Sequence, residues 1–124
     1  AGVGEGEQVD GAGVGDRVCG MMKYAGASGL VTDGPVRDYD GIRACGLPVW
    51  CSGLTPESPF AKGPGRIGFA VQLGGREVES GDMIVADRDG VVVVPFERLD
   101  RVIENLSTPR SPPAASCLTT SPRC

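Results

Sequence analysis

The chain has 124 residues, a formal charge of −4 and 40% apolar content, which is enough for one modest core and too little for two domains. Twelve basic residues against sixteen acidic ones, with no histidine, exclude a basic nucleic-acid surface, an anionic membrane as partner, imidazole catalysis and a histidine-rich zinc site. The valine run at 91–94 is the longest apolar stretch, far short of the roughly 20 residues a spanning helix needs.

Residues 1–14 are glycine-rich and carry no periodic pattern. Over 15–25, Val18, Met21, Met22 and Ala25 recur at the i, i+3, i+4, i+7 spacing of one helix face. This predicts a helix opened by Asp16, stopped by Gly26, with those four residues in the core. Residues 29–33 predict a short buried strand ending at the turn Asp33-Gly34-Pro35, and Arg37-Asp38 lies just past it. A helical turn or two over 40–45, closed by Gly46, leads to a second strand over 48–51. Residues 52–67, punctuated by Pro56, Pro59, Gly63, Pro64 and Gly65, read as a loop.

Hairpins follow. Residues 69–73 and 76–79 flank Gly74-Gly75, a pair that accepts the positive φ of a tight turn. Ser80-Gly81-Asp82 turns the chain again, and 83–87 with 91–94 flank Arg88-Asp89-Gly90. Pro95 stops the last strand. Over 97–106, Leu99, Val102, Ile103 and Leu106 share one helical face. Residues 107–124 hold four prolines, four serines and three threonines, which predicts a disordered tail. Alternating helix and strand, followed by a strand-dominated second half, indicates an α/β fold. Five cysteines, an odd number without a C-x-x-C pair or a signal-like segment, read as reduced thiols in a cytoplasm, with Cys45 and Cys51 as core packing.

The pattern that carries chemistry is Gly15-Asp16 followed by Arg37-Asp38, with twenty residues between Asp16 and Arg37. A helix start facing a strand end gathers free backbone N–H groups, two carboxylates and a guanidinium around one hole, which suits a small anion held beside a hard cation. Each feature also has a plain structural reading. Asp16 can serve as a helix N-cap, and Arg37-Asp38 as an exposed ion pair. Asp33, Asp82 and Asp89 adjoin glycines and read as turn residues. Met21, Met22 and the valine run read as core.

The flanking strings add weight. Gly-Asp-x20-Arg-Asp, the string over 29–38, the segment over 46–50 and the run over 81–95 resemble, in order, the RraA-like family. That family includes the class II 4-hydroxy-4-methyl-2-oxoglutarate aldolases, which also decarboxylate oxaloacetate, and the regulator of ribonuclease E activity A. The likeness covers roughly residues 11–106. It implies a swivelling β/β/α domain assembled as trimers or hexamers, with active sites between subunits. Family members begin with a further helix-and-strand portion. The chain is therefore expected to be an N-terminally truncated RraA-like domain over 1–106, followed by the disordered tail.

The resemblance also implies roles. Asp38 ligates a divalent cation, Mg2+ or Mn2+; Arg37 binds the keto-acid oxygens; and the backbone amides of Gly15, Asp16, Arg17 and Val18 hold the pyruvyl carboxylate. Asp16 acts in catalysis through a water on the cation. The implied activity is retro-aldol cleavage of 4-hydroxy-4-methyl-2-oxoglutarate and decarboxylation of oxaloacetate, both through a pyruvate enolate. Lys23 and Lys62 lie outside any hydrophobic run that would ready them for Schiff-base chemistry, and no glycine-rich nucleotide loop is available for methyl transfer from S-adenosylmethionine. A non-catalytic regulator binding a ribonuclease or helicase, or an inactive fragment, are the alternatives. Asp16 favours catalysis, since a pure binding surface has no physical need for a second carboxylate there.

Overall fold

The computed structural model describes residues 12–58 and 65–107. The elements run α1 (Asp16–Tyr24), β1 (Leu30–Val31), α2 (Tyr39–Cys45), β2 (Val49–Trp50), β3 (Val71–Leu73), β4 (Arg76–Val78), β5 (Met83–Ala86), β6 (Val91–Val94) and α3 (Leu99–Leu106). In the first half the frame is a parallel ladder. Leu30 and Val31 pair with Val49 and Trp50, and the pairing continues beyond these short strands where Val36 bridges both Val14 and Leu54. Backbone bonds from Leu30 to Pro48, Thr32 to Trp50 and Val36 to Gly53, at 2.9, 2.9 and 3.0 Å, hold the middle segment to one side. The Arg37 N–H reaches the Val14 carbonyl at 3.0 Å on the other.

From Val31 to Val36 the middle segment takes five steps, whereas Trp50 to Leu54 takes four. One extra residue is absorbed at the Asp33-Gly34 bend, where Thr32 Oγ1 accepts the Gly34 N–H at 3.1 Å. Val36 is thereby fully buried, at 0% exposure. It joins Val14, Cys19, Leu30, Ile42, Leu47 and Cys51 in the core, each large aliphatic contributing about 1.5–3 kcal/mol by leaving water.

Both helices pack on this frame and on each other. Lys23 Nζ donates to the Cys45 carbonyl at 2.6 Å, near the C-terminal end of each helix, while the Asp16 side chain lies on Gly41 near the start of each. The two helices therefore run side by side in the same direction. This decides which face of α1 is buried. Cys19, one turn beyond Gly15, is fully buried, and Met22 packs against the core. Val18, Met21 and Ala25, expected inside, are exposed, Met21 at 70%. The small residues Gly15 and Cys19 admit α2 at close range, and bulk on that face would hold it off.

In the second half, β3 pairs with β4 and β5 with β6, both antiparallel. Gly74 and Gly75 take φ of 54° and 77°, the left-handed pair that a two-residue hairpin turn demands. Asp82 is a turn residue as expected, its two oxygens accepting the Glu79 and Phe96 N–H groups at 3.0 Å each. In the next turn the acceptor is Asp87, which takes the Asp89 and Gly90 N–H groups at 2.8 and 3.3 Å. The valine run divides, with Val91 buried and Val92 exposed. The last helix starts as a 3-10 turn over Phe96–Arg98 before α3. Leu99 and Val102 are half-buried, whereas Ile103 and Leu106 face solvent. The Trp50 indole N–H donates to the Asp87 carbonyl at 2.8 Å and ties the two halves together.

Cys19 and Cys45 are free thiols, but Cys51 is disulfide-bonded, so the reading of all five cysteines as reduced fails there. Ser107 caps the end of α3; the rest of the expected tail, 108–124, lies outside the described residues, as does Lys62. Among the described residues, no helix is long and apolar enough to cross a membrane.

Candidate functional site

The carboxyl ends of parallel strands are where open α/β sheets place ligands, because helices start there and loops diverge. The chain leaves Val14 into α1 and Val36 into α2, so both helix starts meet at one edge. Gly15 is the N-cap of α1, in extended backbone with φ −123°, so conformation alone would admit any residue. Space is what favours glycine. A Cβ at position 15 would lie 2.8 Å from Asp38 Oδ2 and 3.8 Å from Arg37 Nε.

Asp38 is the N-cap of α2, with φ 63° and ψ 52°, and it is the one non-glycine residue with positive φ among the described residues. An N-cap aspartate normally accepts a first-turn N–H, worth about 1 kcal/mol. Asp38 makes no such cap. Its Oδ2 instead accepts from Arg37 Nε at 3.2 Å, facing Gly15. A forgone cap together with left-handed backbone, which costs on the order of 1 kcal/mol, is the kind of strain that collects at functional sites.

Arg37 is held at three points. Its N–H bonds the Val14 carbonyl, its Nε bonds Asp38, and Nη1 donates to Ser58 Oγ at 2.5 Å. Among the described residues nothing accepts from Nη2. Asp16 opens α1 without capping it, since Gly15 is the N-cap. The Asp16 side chain lies over α2, where a Cβ on Gly41 would come within 2.6 Å of both its Cβ and its Oδ2. The first helical bond of α1 runs from the Cys19 N–H to the Gly15 carbonyl at 3.1 Å, which leaves the N–H groups of Asp16, Arg17 and Val18 without intrahelical acceptors. The Arg17 and Val18 side chains are exposed. A shallow depression of about 540 Å³, lined by Arg17, Gly20, Met21 and Tyr24, lies on the outer face of α1 and is separate from this edge. Burial pushes the Cys19 thiol above its ordinary 9.0, with Cys45 and then Asp16 adding to the rise.

The donor set fits a hard, well-hydrated cation. Asp38 Oδ1 has no partner among the described residues, its side chain is 39% exposed, and no group of three or more cysteine, aspartate or glutamate side chains converges there. Mg2+ or Mn2+ keeps several waters and needs only one or two carboxylates, whereas Ca2+ and structural Zn2+ demand a fuller protein cage. Gly15, Asp16, Arg37 and Asp38 are thus brought to one edge, with Arg17 and Val18 contributing backbone alone. Ser58 and Gly41 escaped the sequence reading. Gly41 had a signal, a glycine inside a predicted helix; Ser58, twenty-one positions from its partner, had none.

A sequence profile described as RraA-like, aldolase/RraA, matches residues 3–93. The chain belongs to the RraA-like family. A protein of Halalkalibacterium halodurans named as a candidate 4-hydroxy-4-methyl-2-oxoglutarate aldolase is 38% identical over 90 residues, covering 73% of this chain and 43% of that protein. An uncharacterized protein of Methanocaldococcus jannaschii is 42% identical over 83 residues, 67% of this chain and 40% of its own length. The crystal structure of Streptomyces coelicolor RraAS2, described as an unusual member of the RNase ES inhibitor RraA protein family, matches with a TM-score of 0.71 at 31% identity, covering 80% of this chain and 51% of RraAS2. The α/β architecture is therefore that of RraA proteins, and the chain spans about half the length, or less, of these relatives.

Proposed function

We propose that this RraA-like protein is a divalent-metal-dependent carbon–carbon lyase acting on 2-oxo acids, cleaving 4-hydroxy-4-methyl-2-oxoglutarate and decarboxylating oxaloacetate. The observation that carries the proposal is the convergence of Gly15, Arg37 and the strained Asp38 at the start of α1, whose first residue is Asp16. In either reaction the C3–C4 bond breaks and its electron pair moves onto C3 and the C2 oxygen. Stabilising the resulting enolate is the catalytic task. Asp38 would hold the cation, which when bound supplies Lewis-acid stabilisation of that oxygen. Arg37 Nη2 donates to the same oxygens as charge gathers on them. The N–H groups of Asp16, Arg17 and Val18, which have no intrahelical acceptors, receive the C1 carboxylate. Asp16 would handle the proton through an intervening water, which takes it from the C4 hydroxyl in retro-aldol cleavage and returns one to C3.

Assembly into homotrimers or hexamers belongs to the same proposal, and exposed Met21, Tyr24, Ile84 and Val85 support association through apolar surface. A cytoplasmic location belongs to it as well. It rests on the free thiols of Cys19 and Cys45 and has to accommodate the disulfide at Cys51.

The test is pyruvate release from oxaloacetate, coupled to lactate dehydrogenase, with added Mg2+ and with EDTA. Metal-dependent release that falls about 100-fold or more in Arg37→Ala and vanishes in Asp38→Ala is expected, the scale on which charge-stabilising groups act. Equal rates with EDTA, or full activity in both variants, would refute it. The likeness to RraAS2 favours a second reading, a non-catalytic regulator of a ribonuclease. Inhibition of a ribonuclease by protein that releases no pyruvate would establish that instead.

A further inference from the structure

We propose that Ser58 is the positioning residue for Arg37. With Asp38 it holds the guanidinium plane so that Nη2 faces the substrate, and it thereby sets affinity for the 2-oxo acid. The inference rests on the lyase reading of the site and goes beyond it, since it concerns a loop residue outside the motif.

The argument starts from donors. A guanidinium carries five N–H groups in one rigid plane on a flexible stem, and its value as an oxyanion clamp depends on that plane being fixed before the ligand arrives. Asp38 Oδ2 takes the Nε donor at 3.2 Å, and Ser58 Oγ takes one Nη1 donor at 2.5 Å. Anchors at Nε and Nη1 stop rotation about the last bond of the stem, and Nη2, without a partner among the described residues, remains for an anionic ligand. Either anchor alone would let the plane swing.

Ser58 reaches this place because its loop is fastened to the residue preceding Arg37. The Val36 N–H bonds the Gly53 carbonyl and the Thr55 N–H bonds the Val36 carbonyl, both at 3.0 Å. The Thr55 hydroxyl then accepts the Glu57 N–H at 3.3 Å, a local turn that brings residue 58 over the guanidinium. The distance from Ser58 to Arg37 is thus set by the same ladder that sets Arg37 itself.

The experiment compares the unsubstituted chain with Ser58→Ala and Ser58→Thr by pyruvate release across oxaloacetate concentrations. It also measures binding of oxalate, a flat dianion resembling the enolate, by calorimetry in Mg2+. Ser58→Ala is expected to raise KM and the oxalate Kd about tenfold while kcat falls less than about threefold, the signature of lost ligand positioning. Thermal stability should not change, and Ser58→Thr, which keeps the hydroxyl, should return both constants to within about twofold. A Ser58→Ala protein with parental KM and Kd overturns the proposal and leaves the lyase reading standing, as does a threonine variant as impaired as alanine. If the unsubstituted chain neither turns over oxaloacetate nor binds oxalate, the lyase reading falls and the role of Ser58 falls with it.

Discussion

Asp38 shows most plainly how one residue can be selected against local stability. Its backbone sits in left-handed space and its carboxylate abandons the helix it begins. Asparagine tolerates that conformation as well as aspartate does. Asp38→Asn should therefore leave the melting temperature within about 2 °C, while abolishing metal-dependent pyruvate release; a fall of ten degrees in a thermal melt would show that the carboxylate is structural. Gly15 makes the complementary case. Because its backbone is extended, Gly15→Ala carries little conformational penalty, and the added methyl spends itself against Asp38 Oδ2. At least about a tenfold loss in kcat/KM is expected, the scale of a group displaced by a fraction of an ångström. Wild-type kinetics in that variant would mean the carboxylate has room to move without consequence. These residues were legible in the sequence because Gly15, Asp16, Arg37 and Asp38 sit inside recognisable strings. Ser58 was not, since a hydrogen bond across a loop leaves no mark on local pattern.

At the level of elements, periodicity found α1 and the closing Gly46 marked α2, each within a residue of its observed bounds, but periodicity misjudged how α1 is turned. Apolar spacing ranks side chains by their wish to leave water, and on α1 two faces compete: one carries Val18, Met21 and Ala25, the other Gly15 and Cys19. The small face prevails because α2 must approach closely enough for Asp16 to lie on Gly41. Gly41→Ala tests this. In an unencumbered helix it should stabilise by about 1 kcal/mol; here, with Asp16 Cβ 2.6 Å from the new methyl, it should destabilise by about 1–3 kcal/mol in urea titration, and gain instead of loss would refute the close packing. The same interface carries a pH signature. The folded thiol of Cys19 holds its proton more tightly than the ordinary value of 9.0, so its contribution to stability is complete below that pH. As pH rises through 9.0 the unfolded chain gives up the proton first, and stability falls until the raised folded value is reached. Cys19→Ala should flatten that alkaline decline in unfolding free energy measured between pH 8 and 11.

Across the whole molecule, the change from parallel ladder to hairpins was readable from glycine placement, as Gly74 and Gly75 show. The joint between the two styles was not. Trp50 donates its indole N–H to Asp87 across thirty-seven positions, a bond that local pattern does not announce. Trp50→Phe keeps most of the ring and removes the bond, so a loss of about 1 kcal/mol is expected, read as faster hydrogen exchange of amides in β5 and β6; unchanged exchange would mean the halves are joined elsewhere. Exposed Ile84, Val85, Ile103 and Leu106 were likewise beyond the reach of pattern, which assigns apolar faces without saying what covers them.

The surplus residue at the Asp33-Gly34 bend has an evolutionary corollary. Side chains along an extended segment alternate inward and outward, and that single additional step is why Val36 faces the interior while Arg37 emerges at the rim. Loss of one codon at the bend would exchange their places, driving a guanidinium into the hydrocarbon interior and stranding its carboxylate neighbour. Descendants of this gene should accept altered letters at positions 33 and 34 far more readily than an altered count.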